Sequence, residues 1–504
     1  MTNDMFKTAE TKDGYSFPPI DLLEYHSDNS EGLSDEAEQE IRENTAVIIK
    51  TLSNMGFEAA VSSVTRGASV TRYVTDFFTE GESLARGRSI NAQLSLDLGV
   101  CGVRHDVLRS KMTVAFEVPN KRRRSVSIRE LVDSDEFHKP GRKLPIAVGK
   151  DIDGNIVIGD LAEMQHLLIG GMCGSGTAMF DHTFIMSIVF SRTPEDVRLI
   201  LIDTKRVEFP CYRNLPHLLV PVITDPIKGA AALSWACGEA ERRYSLFAES
   251  AVKDIDEYNE KVIGQNTAGK LPRVVIYIEE FADLMLENKD DVEERVGRLL
   301  ELGKNAGIHL VIATQAPRKD VLTKKIRDDF PSRIAFEVFS NVDSRVLLGE
   351  RGAEDLLGRC DMLYRPAGYE RPIRIQAGFI STKEIRNITN HIKDKSSTVF
   401  DSDAVRKIET IYEQLNHSDD LAPVGNGTEP GSYDDLLKIA VTLILSSGNA
   451  STAYLQRSLH IAFPRAARLM DDIEDMGIIG SRDGTMPRSV NITLAEWCER
   501  LGLV

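Results

Sequence analysis

Cysteine is scarce in this chain: six among 504 residues (Cys101, Cys173, Cys211, Cys237, Cys360 and Cys498), with no Cys-x-x-Cys pair. That excludes a zinc ribbon and a dense disulfide framework, and sets the expected compartment as a reducing cytosol. Long apolar runs are missing as well. The longest, such as Leu199–Ile202 and Ile439–Leu445, fall far short of the roughly 20 residues of a membrane helix. Met1 to Tyr15 has neither a basic start nor an apolar stretch, so no signal peptide is read there, and a soluble chain is expected. Positive charge is in deficit, with a net charge of −16. A global attractive field for nucleic acid is therefore excluded, and any such binding requires local basic patches.

The deficit is uneven. The first forty residues carry Asp4, Glu10, Asp13, Asp21, Glu24, Asp28, Glu31, Asp35, Glu36, Glu38 and Glu40 against Lys7 and Lys12. Residues 1–42 read as an acidic, disordered arm. Residues 43–143 follow as a small α+β domain, with a helix over Ala46–Met55 and short strands around Val70–Phe77 and Met112–Glu117. The run Lys121-Arg122-Arg123-Arg124 is either a solvated turn or a phosphate-facing patch.

Residues 144–393 alternate continuous apolar strands with helices, the pattern of a parallel sheet covered on both faces. Three strands, Arg198–Asp203, Val274–Glu280 and Ile308–Gln315, end in polar side chains, where an open α/β sheet places its ligand. A helix (Asp403–Leu415) and a Gly/Pro-rich linker occupy 394–431. Over 432–504, helices at Tyr433–Leu445, Ser451–Leu459 and Pro464–Met476, a stop at Gly477 and a short strand-turn-strand read as a winged helix-turn-helix. The expected fold class is thus α/β, a P-loop core with a parallel sheet between a small α+β domain and a winged helix.

Within the core, Gly171-Met-Cys-Gly-Ser-Gly-Thr-Ala178 aligns with the phosphate-loop pattern G-x-x-x-x-G-K-[S/T]. Gly171 and Gly176 occupy its fixed glycines, Gly174 and Ser175 its middle. Thr177 stands where the lysine belongs, and Ala178 where the magnesium-binding hydroxyl belongs. The cradle of backbone N–H groups is kept and the charge is lost.

Ordered segments then match one family. They include Leu144-Pro-Ile-Ala-Val-Gly-Lys-Asp-Ile-Asp-Gly-Asn, Pro216-His-Leu-Leu, Glu241-Arg-Arg-Tyr, Glu280-Phe-Ala-Asp-Leu-Met, Ala306-Gly-Ile-His-Leu-Val-Ile-Ala-Thr-Gln, Val342-Asp-Ser-Arg345 and Gly358-Arg-Cys-Asp-Met-Leu-Tyr. From about residue 50 onward the chain resembles the FtsK/SpoIIIE DNA translocases. The first domain is similar to that family's α domain, the core to its RecA-like β domain and the last to its γ domain, and the membrane-spanning region of many members is not found. The resemblance implies a hexameric ring around double-stranded DNA, driven by ATP with Mg2+ and concerned with chromosome segregation or DNA transport.

It also implies residue roles. Glu279 takes the metal-holding Walker B place, one methylene longer than the aspartate expected there, which would shift the metal by about an ångström. Glu280 takes the water-activating place and Gln315 that of a polar sensor. Arg345 is a candidate to reach a neighbouring subunit's γ-phosphate, or else forms an ion pair. Lys205 is the candidate substitute cation, or else a structural ion pair. At the winged helix Arg457, Arg465 and Arg468 would meet DNA, with an acidic run (Asp471, Asp472, Glu474, Asp475) on the same helix. Losing a charge-assisted phosphate contact and a metal ligand together removes several kcal/mol from the transition state, roughly a thousandfold in rate. The expected protein is a DNA-binding ring subunit with a degenerate ATPase site, homo-hexameric or mixed with an active paralogue. An active translocase and a winged-helix regulator or scaffold are the alternatives.

Overall fold

The structure, a computed structural model, describes residues 15–25, 35–78, 87–107, 113–264, 269–418, 433–447, 449–459, 463–480, 488–493 and 496–497. The chain divides into two compact units, Met1–Ile411 and Tyr412–Val504. The five described cysteines are free, and no helix among the described residues is long and apolar enough to cross a membrane.

Four antiparallel strands open the first unit: β1 (Ala59–Arg66), β2 (Val70–Phe77), β3 (Arg104–Val107) and β4 (Thr113–Pro119), in the order β1-β2-β4-β3. One face buries Tyr73, Phe77, Val114, Phe116 and Val118 against Ile48 and Leu52 of a helix over Asp35–Asn54 and Ile90 and Leu94 of a helix over Gly87–Leu98. Alternation along β2, with inward Tyr73 and Phe77, carries this packing.

The first helix begins at Asp35 rather than Ala46. Its acidic residues Asp35, Glu36 and Glu38 sit in the first turn, where the helix dipole favours negative charge, so a charge run that reads as solvated is a helix start. Glu40 is buried, accepting from Arg66 at 3.0 Å and from the Lys121 backbone N–H at 2.8 Å. The disordered arm expected over 1–42 is corrected for Tyr15–Tyr25 too. Tyr15 and Leu23 lie in the core, the Tyr15 hydroxyl donates to the Val189 carbonyl at 3.2 Å, and Arg129 donates to the Leu23 carbonyl at 2.7 Å. Residues 1–14 and 26–34 of that arm lie outside the described residues.

The second sheet has ten strands among the described residues: β5 (Val126–Ser127), β6 (Pro145–Asp151), β7 (Ile156–Asp160), β8 (Leu167–Gly170), β9 (Val197–Ile202), β10 (Arg273–Ile278), β11 (Ile308–Thr314), β12 (Ser332–Phe336), β13 (Asp361–Arg365) and β14 (Ile373–Phe379). Its order is β7-β6-β14-β13-β12-β8-β11-β10-β9, with β5 beside β14. Strands β12, β8, β11, β10 and β9 are mutually parallel, as expected of their continuous apolar runs. The flank β13-β14-β6-β7 is antiparallel, so the sheet is mixed rather than purely parallel. The helix Thr177–Ser191 crosses beneath it, almost entirely buried through Phe180, Phe184, Ile185, Met186, Ile188 and Val189.

A buried charge cluster joins the two sheets. Arg374 on β14 pairs with Asp361 on β13 at 2.7 Å and with Glu117 on β4 at 2.9 Å, all three side chains 6% exposed or less. Burial alone would raise the Glu117 carboxyl, but Arg374, with Arg104 and Arg72, more than offsets it and holds the pKa below the ordinary value. Alongside, Gln376 of β14 accepts from the Ser69 hydroxyl and donates to the Arg359 carbonyl at 2.9 Å.

In the second unit, helices Tyr433–Ser447, Thr452–Leu459 and Phe463–Asp475 enclose Leu436, Ala440, Ile444, Leu455, Leu469, Met470 and Ile473. Gly477, at φ +72, ends the third helix, and the bridges Ala450↔Arg488 and Ile479↔Val490 form the described part of the wing. Residues 419–432 of the expected linker lie outside the described residues.

Candidate functional site

The loop Gly171–Ala178 joins β8 to the helix Thr177–Ser191, at the carboxyl end of the parallel strands. A Cβ on Gly171 would lie 2.6 Å from the Phe336 Cβ, and one on Gly176, at φ +126, would lie 2.6 Å from the Cys360 backbone nitrogen. Only glycine fits either place. The loop is pinned from outside. Gly171 N–H donates to the Thr314 carbonyl at 3.3 Å, Met172 N–H to that of Glu337 at 2.7 Å, and Cys360 N–H to that of Ser175 at 2.9 Å.

The first helical bond runs from Phe180 N–H to the Gly176 carbonyl at 3.0 Å. Among the described residues, the N–H groups of Thr177, Ala178 and Met179 find no protein acceptor, and Gly176 supplies no side-chain cap. These free donors at the positive end of a fifteen-residue helix suit a phosphate. The triphosphate of ATP therefore fits the backbone cradle. The side chains fit it less well: Thr177 is 6% exposed with an uncharged hydroxyl 3.4 Å from that of Ser175, and Ala178 offers no oxygen to a metal.

At the end of β10, Glu279 and Glu280 are buried differently. Glu280 is fully engaged. Oε2 accepts from Lys205 Nζ at 2.9 Å and from Gln315 N–H at 3.2 Å, and Oε1 accepts from the Thr314 hydroxyl at 2.6 Å. It also caps the helix Phe281–Glu287. Glu279 is 3% exposed, and its Oε2 has no partner among the described residues. Gln315 approaches its Oε1 at 3.5 Å, the outer limit of a hydrogen bond. Burial pushes the Glu279 carboxyl up to about 7; Lys205 opposes this, while Glu280, Asp203 and Glu208 add to it.

Lys205 is committed to Glu280. Burial tends to lower its ammonium, yet Glu280, Glu279 and Asp283 outweigh that and raise its pKa. Of the two expected roles, the structure shows the ion pair. Arg345, on the helix Asn341–Leu348, is exposed and forms no ion pair among the described residues. Arg468 is exposed on the third helix of the winged unit, while the side chains of Arg457 and Arg465 lie outside what is described. Two acids of that helix, Asp471 and Glu474, pair with Arg488 of the wing at 3.4 and 2.6 Å.

One buried acid beside the site is absent from the sequence expectations. Asp181, on the phosphate-loop helix, accepts from the Tyr277 hydroxyl at 2.5 Å, and its Oδ2 has no partner among the described residues. Burial pushes its carboxyl well above the ordinary 3.8; the Tyr277 bond opposes this, and Glu279, Glu208 and Glu280 add to it. An aspartate as the one acid in a largely buried helix is the available signal. Because its folded pKa is raised, the stability it confers is whole below the unfolded value and is lost as pH rises through the folded one. Asp181→Asn is expected to stabilise the protein at pH 8 by about 1–2 kcal/mol, and by less at pH 5. Denaturant unfolding at the two pH values checks this; an equal effect at both would show that Asp181 is ionised in the folded state.

A sheet with a parallel core, a glycine cradle after a central strand, a buried helix behind it and carboxylates at the end of a parallel strand defines a P-loop NTPase core of the RecA-like class. More narrowly, the chain belongs to the FtsK/SpoIIIE family. That family's profile matches residues 127–319, its alpha domain matches 17–120 and its gamma domain 431–493. The DNA translocase FtsK of Clostridium tetani is 40% identical over 98% of this chain and 64% of its own length. That of Borreliella burgdorferi is 39% identical over 91% of this chain and 57% of its own. The chain thus spans somewhat under two thirds of these relatives. Among solved structures, the pCW3 conjugation coupling protein TcpA with ATPγS superposes at a TM-score of 0.49 and 20% identity, over 70% of this chain and 99% of that one.

Proposed function

We propose that this chain is a double-stranded-DNA-binding ring subunit of the FtsK/SpoIIIE family whose own nucleotide site holds phosphate without turning it over efficiently. It serves chromosome segregation or DNA transport as a homo-hexamer or in a mixed ring with an active paralogue. One observation carries the loss of hydrolysis: an uncharged hydroxyl and a methyl occupy the places of the phosphate lysine and the metal ligand, while the nearby Lys205 is held by Glu280. Support also comes from Glu279, which is one methylene longer than the aspartate expected in the metal-holding place.

Action on DNA is supported by the relatives' names and by the winged unit, which presents Arg468 on its third helix. If bound, Mg·ATP would supply the polarised phosphoanhydride. This chain's part would be to hold the phosphates on the N–H groups of residues 176–179 and to place Glu280 near them. The test is phosphate release from the full chain with and without duplex DNA. The expected rate lies at least about a thousandfold below that of ordinary enzymes, which run at about 1–10³ per second. DNA-stimulated turnover inside that range overturns the proposal and leaves the active-translocase reading.

A further inference from the structure

Two arginines flank the phosphate loop on the side of β12 and β13. Gly358, Arg359 and Cys360 have φ values of +65, +52 and +70, a left-handed turn in which two residues are not glycine. The turn abuts the loop directly, since Cys360 N–H bonds the Ser175 carbonyl and closes against Gly176. Arg359 is exposed and pairs with no carboxylate among the described residues; its backbone carbonyl is held by Gln376. Arg123, from the basic run 121–124, reaches the same turn, with its guanidinium donating to the Leu357 carbonyl at 2.7 Å. It too forms no ion pair among the described residues.

The acids nearby form no ion pair with them. Asp361 is taken by Arg374, and Glu337, whose carboxyl faces Gly358, lies outside ion-pair distance of both arginines. Burial lowers the Arg123 guanidinium's pKa; Asp361 and Glu337 oppose this through space while Arg359 and Arg374 add to it, and its hydrogen bond goes to a neutral carbonyl. Two arginines with no ion pair among the described residues, beside a row of free N–H donors, suit an anion.

We propose that Arg123 and Arg359 together bind the polyphosphate chain of a nucleotide at the flank of the loop, supplying the charge that Thr177 lacks. Arginine reaches the phosphates from the side, so it restores affinity without restoring the lysine's place along the line of transfer. The assignment rests on the reading of the loop as a non-hydrolysing phosphate site.

Calorimetric titration of the full chain with Mg·ATP, and separately with inorganic pyrophosphate, tests it. R123Q and R359Q are each expected to weaken both probes about tenfold, and the double variant further, with a shallower dependence on salt. R359K, which keeps the charge, is expected to retain most of the affinity. Both side chains are exposed, so thermal melts should not move. A double variant that binds like the parent, a parent that binds neither probe, or an R359K as weak as R359Q overturns the assignment. Phosphate release from the same samples judges hydrolysis separately: fast turnover with arginine-independent binding defeats both readings, whereas slow turnover with arginine-independent binding defeats this one alone.

Discussion

Thr177→Lys, Ala178→Ser and Glu279→Asp, made together, are expected to raise DNA-stimulated phosphate release by roughly a thousandfold over the parent chain. The cradle is already in place: Gly171 and Gly176 sit where no Cβ fits, and the N–H groups of 177–179 are free. What the loop lacks is a cation on the β- and γ-phosphates and an oxygen on the metal, which the first two changes supply. The third shortens the buried acid and lowers its tendency to hold a proton, because a metal and a lysine would then face it. Single changes should gain much less, since each leaves the metal or the charge missing. A triple variant whose Mg·ATP affinity rises while release stays at the parental level would place the defect elsewhere, with Lys205 holding Glu280 as the first suspect.

Truncating Arg374 is expected to cost about 3–5 kcal/mol of stability. Arg374→Ala leaves Asp361 without its cation and Glu117 with only the longer pair to Arg72 at 3.7 Å. Replacing all three by Met or Leu of similar volume should recover most of that loss, because a buried ion cluster is costly to break and cheap to remove whole. Urea unfolding of the two variants checks this; equal destabilisation of both would mean that packing, not charge, holds the cluster. Asp361 is next to Cys360, whose N–H holds the phosphate loop, so the truncation is also expected to weaken nucleotide binding.

Much of this was legible beforehand. The strand Val70–Phe77 was placed by its alternation, and β9, β10 and β11 to within a residue or two by their unbroken apolar runs. For Lys205 the sequence leaves a phosphate cation and an ion pair open, and the contact with Glu280 at 2.9 Å depends on the fold. The antiparallel flank was not legible, since strand direction leaves no mark in the apolar pattern, and charged residues such as Asp361 and Arg374 interrupt the runs of β13 and β14. The start of the first helix was hidden by its acidic composition, which resembles a solvated tail until Glu40 meets Arg66.

By itself the sequence determined what depends on neighbours along the chain: the glycine loop with its missing lysine, the strand ends that carry Glu279, Glu280 and Gln315, the helices of the winged unit, and the family. Only the tertiary structure decided what depends on residues far apart meeting. It set Lys205 on Glu280, Asp181 beneath Tyr277, Arg374 between Glu117 and Asp361, and Arg123 beside the turn that carries Arg359. The physical reason is one of range. Periodicity, capping and turn preference act over a few residues, whereas burial and Coulomb energy depend on which charges folding brings within a few ångströms.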